Sequence, residues 1–181
     1  MEQLLVRVRE LRELLKKRDA VALKQLSGAL AGESFLVEDE ALLDLSLVSY
    51  ALNKFLTQPY VFESKDWPVF FKRTGKLLEA SENALKTGNG AKAREAIHSI
   101  ISAIDRLSDS RGRFVSSVVD KARLKAGAEI YAKGASLGQA SFLSGSDKKD
   151  LAFYIGSTRL TDKFESIPLK QRFQKTMELF A

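Results

Sequence analysis

The chain has 181 residues, 45% of them hydrophobic, enough for one domain or two small ones around a packed core, which excludes disordered and fibrous classes. It has no cysteine and one histidine, so disulfides, thiolate ligands, cysteine nucleophiles and paired-histidine metal sites are ruled out. The formal net charge of +6 lies in the second half: residues 1–90 hold 13 basic and 13 acidic side chains, residues 91–181 hold 16 and 10.

Leu4, Val8, Leu11, Leu14 and Leu15 form one stripe, which predicts an amphipathic helix over residues 2–18 that breaks near Asp19. This opening alternates aliphatic residues with charges and lacks the apolar run and small-residue cleavage site of a secretory signal. Nowhere do ~18 apolar residues follow one another, so no membrane span is expected and a cytoplasmic protein is. Asp19 can cap a second helix running through Val21, Leu23, Leu26 and Leu30 to the region of Gly32. Glu38, Asp39 and Glu40 supply an acidic first turn for a third helix, which ends near Gln58-Pro59. That third helix is apolar on more than one face, through Leu42, Leu45, Leu47, Val48, Leu52 and Phe55, and is the expected hub of the core.

Residues 58–71 read as an aromatic loop, with Asp66-Trp67-Pro68 as a cap followed by proline in the first turn of a fourth helix and Trp67 as a packing anchor. Residues 68–87 and 91–108 predict a helical hairpin around Thr87-Gly88-Asn89-Gly90, with Leu77, Leu78, Ala84 and Leu85 facing Ala93, Ile97, Ile100, Ile101 and Ile104. Ser108 to Gly112 marks a boundary between an N-terminal helical bundle, 1–110, and a basic C-terminal helical unit, 111–181, packed against it. Downstream come a helix through Phe114, Val118, Val119, Leu124 and Ile130, two short helices, a turn at Gly156 and a last helix from Pro168 to Phe180. The expected fold is all-α: a helical bundle of eight or nine helices with a C-terminal helix-turn-helix-like unit.

Catalytic motifs are scarce. Gly88-Asn89-Gly90 resembles a dinucleotide glycine pattern but follows a helix instead of a strand, so it reads as a helix end and turn. His98 lacks a serine on a strained elbow, and Asp39, Glu40 and Asp44 are explained by a helix start without a metal. No cofactor and no enzymatic activity are expected. In the tail, Lys163, Lys170, Arg172 and Lys175 alternate with Phe164 and Phe173, as a solvated face beside a core stripe does.

From Lys121 to Gly156 the pattern is a long helix and two short ones. Ser141 provides a small side chain at a helix crossing, Gly145 a turn glycine, Leu151 with Tyr154 or Ile155 the apolar lock, and Asp147 a cap that projects Lys148 and Lys149. These residues resemble the helix-turn-helix segments of small prokaryotic antitoxin-like and regulatory families over about a fifth of the chain. Ser146 stands where an aliphatic residue is usual, and Asp147 and Asp150 add negative charge to the second short helix. The resemblance implies nucleic-acid contact through Lys148 and Lys149, and the basic run just upstream adds Arg111, Arg113, Lys121, Arg123 and Lys125 as candidate phosphate contacts, made to the backbone with little base specificity. The rival expectation is a protein-interaction or assembly module, a homo-oligomer among the options, using the aromatic stretch Tyr60 to Phe71 and the apolar third helix. The function expected is thus non-enzymatic binding of nucleic-acid backbone or a partner protein; the alternative is a small-ligand-binding or enzymatic helical protein.

Overall fold

Apolar residues at three- and four-residue intervals wind into helices along most of the chain. The computed structural model describes residues 2–109 and 113–158, which form α1 (Glu2–Lys17), α2 (Ala20–Val37), α3 (Glu40–Thr57), α4 (Pro59–Phe62), α5 (Trp67–Lys86), α6 (Gly90–Asp109), α7 (Arg113–Ala132), α8 (Leu137–Ser144) and α9 (Lys148–Thr158). The described residues contain no strand, and the protein is an all-α helical bundle. None of these helices is long and apolar enough to cross a membrane. The last helix expected from Pro168 to Phe180 lies outside the described residues, as do the tail cations.

Asp19 caps α2 by accepting a hydrogen bond from the Ala22 amide at 2.9 Å, and Asp39 caps α3 through the Ala41 amide at 3.0 Å. Contrary to the sequence expectation, α2 does not stop near Gly32 but continues to Val37 and ends on Glu38 in the left-handed conformation, φ 54°. The reason is tertiary. A Cβ on Gly28 would sit 3.4 Å from the Glu129 carboxylate, and one on Gly32 would sit 2.9 Å from Cε of Lys133. Gly28 faces Glu129 of α7 and Gly32 the Lys133 side chain just beyond it, and neither takes the positive φ that would end the helix.

The third helix is the hub: Leu42, Leu45, Val48, Leu52 and Phe55 are each at most 1% exposed. Its polar positions bind α2. Ser46 Oγ donates to the Ser27 carbonyl at 2.7 Å, Ser49 Oγ to the Leu23 carbonyl at 2.7 Å, and Asn53 Nδ2 to the Ala20 carbonyl at 2.6 Å. Small side chains then seat α7 on this pair: Ala122 and Ala126 are buried with Ala31, Leu47 and Tyr50.

The aromatic stretch is not an open loop. It contains the short α4 and the start of α5, and it turns Val61, Trp67 and Phe70 into the core. Trp67 packs edge-on against Phe55, ring centroids 6.5 Å apart, and lies 5.6 Å from Phe70. Asp66 precedes α5 without making a side-chain cap hydrogen bond. Between α5 and α6, Gly88 takes φ 76° and Asn89 Oδ1 accepts from the Lys92 amide at 3.0 Å, so this glycine pair is a turn.

One carboxylate ties α1 to α5. Glu82, almost buried, accepts from Arg9 at 2.9 Å, Arg12 at 2.8 Å and Lys86 at 2.8 Å. Lys86 foremost, then Arg9 and Arg12, hold its pKa at about 2, below the ordinary 4.5. A depressed carboxylate stabilises the fold above its unfolded pKa, and that contribution is lost as pH falls from about 4.5 toward 2. Replacing Glu82 by Ala takes this carboxylate from Arg9 and Lys86, while Arg12 keeps Glu79 at 3.0 Å, and should cost about 1.5–3 kcal/mol at pH 7. Denaturant titration should show the gap between Glu82→Ala and the native chain closing as pH falls through this window; a gap constant down to pH 2 would contradict the assignment.

Candidate functional site

The C-terminal unit is built on one close approach. At Gly127 of α7 a Cβ would lie 2.7 Å from Ser144 Oγ and 3.0 and 3.1 Å from the two methyls of Leu151. Only a bare α-carbon lets α8 and α9 pack this closely on α7. Ser144 is buried, donates to the Ala140 carbonyl at 2.7 Å and shares a 2.8 Å hydrogen bond with Ser146 Oγ. Ser146, out of pattern by sequence, is thus part of a hydroxyl pair that closes the turn, and its carbonyl accepts from Ser141 Oγ at 2.8 Å.

The remaining turn residues act as the sequence led us to expect. Gly145 is left-handed, φ 65°, and ends α8. Asp147 Oδ1 accepts from the amides of Lys149, 2.8 Å, and Asp150, 3.0 Å, and those two bonds, Asp150's foremost, lower its pKa. Leu151 and Ile155 are buried under α9, with Tyr154 half-buried beside them. An additional device is the capping box at the start of α8, where Ser136 and Gln139 satisfy each other's backbone amides at 3.2 and 3.0 Å.

The seven cations singled out by sequence do not share one setting. Lys148 and Lys149 stand exposed in the first turn of α9, and Lys121 is exposed on α7. Arg123 is half-exposed, packs its stem against Gly145 and lies 3.7 Å from Asp120. Lys125 has its ammonium 5.5 Å from the centre of the Tyr50 ring and 3.5 Å from the Lys24 carbonyl. The backbone of Arg113 opens α7, while its side chain and all of Arg111 lie outside the described residues.

A concavity of about 680 Å³ lies between the α2–α3 turn, α6 and α8. Phe35, Leu43, Phe142 and Leu143 give it an apolar lining. Phe142 is 85% exposed, because the eight-residue α8 buries its Ala140–Ser144 edge and turns this residue outward. Four carboxylates, Glu38, Asp39, Glu40 and Asp44, stand around it with His98. Burial pushes the Asp44 pKa up, the nearby Glu40 adds to that, and His98, whose Nε2 lies 3.3 Å from Asp44 Oδ2, opposes it. The exposed His98 thus belongs to a carboxylate-bearing rim.

Sequence reasoning did not find this groove, because its residues come from three separated stretches. The available signal was the adjacent pair Phe142-Leu143 in a helix too short to bury both.

Enlarging Gly127 tests the construction of the unit. Gly127→Ala should destabilise it by about 1–3 kcal/mol through overpacking. The loss should be read as faster amide hydrogen exchange in α8 and α9, with α1 and α5 unchanged; equal protection of α8 and α9 would contradict the close approach. No family model matches the chain, and no curated protein or solved structure matches it either, so the reading of the site rests on its own geometry.

Proposed function

We propose that the protein is a non-enzymatic interaction module whose groove receives an amphipathic helix of a partner protein, apolar on one side and basic along its flanks. The observation that carries this reading is the apolar lining framed by four carboxylates on a chain whose net charge is +6. The local charge is opposite to the overall charge, so a basic partner is attracted at the groove and repelled elsewhere. Covering an exposed phenylalanine contributes about 1.5–3 kcal/mol, which makes Phe142 the natural anchor. The binding mode is that of a helix in a groove, with specificity set by the spacing of apolar side chains and by the acidic rim.

The partner side chosen by the rival sequence reading moves accordingly. The apolar face of α3 is consumed by the core, and the aromatic stretch retains only Tyr60, Phe62 and Val69 as exposed large apolar residues. The α8 edge and the α2–α3 turn offer the better surface.

Fluorescence polarisation with a labelled Leu/Lys amphipathic helical peptide, against its Leu/Glu counterpart, tests the proposal. The basic peptide should bind, and Phe142→Ala with Leu143→Ala should weaken it about tenfold or more. Glu38→Gln with Glu40→Gln should weaken it less and flatten its salt dependence. Equal binding of the acidic peptide, or indifference to the Phe142 and Leu143 changes, would remove the groove as the site; a mass showing self-association through Phe142 would make a second copy the occupant.

A second reading, contact with a nucleic-acid backbone, is supported by the exposed Lys148 and Lys149 in the first turn of α9, with the exposed Lys121 and half-exposed Arg123 on α7. Each phosphate contact adds about 0.9 to the slope of log affinity against log salt. Alanine at Lys121, Arg123, Lys148 and Lys149 should therefore flatten that slope for duplex or single-stranded probes; binding that is absent in low salt, or that survives the four changes, ends this reading.

A further inference from the structure

The two most exposed large apolar side chains among the described residues are Phe142 of α8, 85% exposed, and Phe153 of α9, 79% exposed. Phe142 lines the acidic groove, whereas Phe153 stands on a different surface. Leu151 and Ile155 bury the inner side of α9, which turns Lys149, Phe153 and Gly156, spaced at i, i+4 and i+7, outward on one face. Lys148 and Ala152 border this face on one side, Asp150 and Ser157 on the other, and all four are exposed. Gly156 keeps the face flat beside the phenylalanine. Its φ is not positive and a Cβ there would meet nothing within 4 Å, so neither the backbone nor packing within the chain calls for a glycine.

This face has the chemistry that suits the groove, apolar along its middle and basic at its N-terminal end. The groove offers Phe35, Leu43, Phe142 and Leu143 inside a ring of carboxylates. Arg94 lies 3.9 Å from Asp39 and His98 3.3 Å from Asp44, so the outward charge of the rim falls chiefly to Glu38 and Glu40. A second concavity of about 510 Å³, formed by α2, α3, α7 and α9, is lined by Lys24, Lys54 and Lys125 without a carboxylate and would repel the α9 lysines. In its own chain α9 is held by Leu151 and Ile155 with Phe153 in solvent, so its outer face does not fill its own groove.

We propose that the occupant of the groove is a second copy of this chain, seated through the outer face of its α9. This assignment rests on the groove being a helix-binding site and names the helix. Phe153 of one copy packs against Phe142 and Leu143 of the next, and Lys148 and Lys149 meet Glu38 and Glu40. Because the two patches differ, copies either exchange α9 reciprocally as a symmetric pair or pass it on head to tail. One helical face buries less area than a standard interface, so the association is weak and depends on concentration.

Sedimentation equilibrium of the full chain over rising concentration tests the assignment. The weight-average mass should rise above that of the monomer, and less so in high salt. Glu38→Lys with Glu40→Lys should weaken association about tenfold or more, and so should Lys148→Glu with Lys149→Glu. An equimolar mixture of these two double variants should recover it, since each surface then meets the opposite charge. Phe153→Ser should weaken association about tenfold with the melting temperature and the binding of the Leu/Lys peptide unaltered. A native chain that stays monomeric at the highest attainable concentration overturns the proposal. The groove reading survives that result where the peptide still binds, and falls with it where the peptide does not. The proposal is equally overturned if association persists with Phe153→Ser or with the two α9 lysines reversed, which would make the contact groove to groove. It also falls if the mixture fails to recover what the two double variants lose.

Discussion

Three side chains of α3 donating to three carbonyls of α2 set the frame on which everything else is placed. A carbonyl already accepting within its own helix keeps a second lone pair, and Ser46, Ser49 and Asn53 use it on Ser27, Leu23 and Ala20. Each bond contributes about 1 kcal/mol net, a modest sum. Their spacing has a larger consequence. Donors at 46, 49 and 53 meeting acceptors at 27, 23 and 20 fix the two helices as antiparallel neighbours in one register, which an apolar seam of leucines would define less sharply. Short donors also keep the helices close, so α7 can lie over both through Ala122 and Ala126.

Register then decides chemistry. In antiparallel helices the start of α2 meets the end of α3, which brings Lys24, Asn53 and Lys54 together; the end of α2 meets the start of α3, which brings Phe35 and Glu38 to Leu43 and Asp44. An 18-residue helix is about 27 Å long, well beyond the ~8 Å screening length at physiological salt. A basic concavity and an acidic one can therefore coexist on the same helix pair without cancelling. The net charge of the chain describes neither of them.

Features governed by neighbouring residues were legible in the sequence. The caps Asp19, Asp39 and Asp147, the left-handed Gly145 and the stripe of α1 follow from local backbone needs, and Trp67 is the anchor its surroundings implied. Glycines were ambiguous because two different causes select them. Gly145 satisfies a backbone conformation, whereas Gly127 satisfies the approach of other helices, and only the first cause leaves a signature in adjacent residues. The charges were less legible still. Lys121, Arg123 and Lys125 are close in sequence and look like one patch, yet Lys125 turns onto Tyr50 of a helix some seventy residues away while Lys121 meets solvent. The groove joins side chains from residues 34–44, 98 and 139–143, a combination that no local pattern encodes.

The two concavities share one mechanical element, the C-terminal unit held on α7 by Gly127. Through α8 it supplies Phe142 and Leu143 to the groove, and through α7 and α9 it supplies Lys125 and Tyr154 to the basic pocket. Neither concavity is complete within α1 to α6. The close approach at Gly127 therefore governs both: a side chain there would displace Phe142 and Leu143 from the groove and Tyr154 from the basic concavity together.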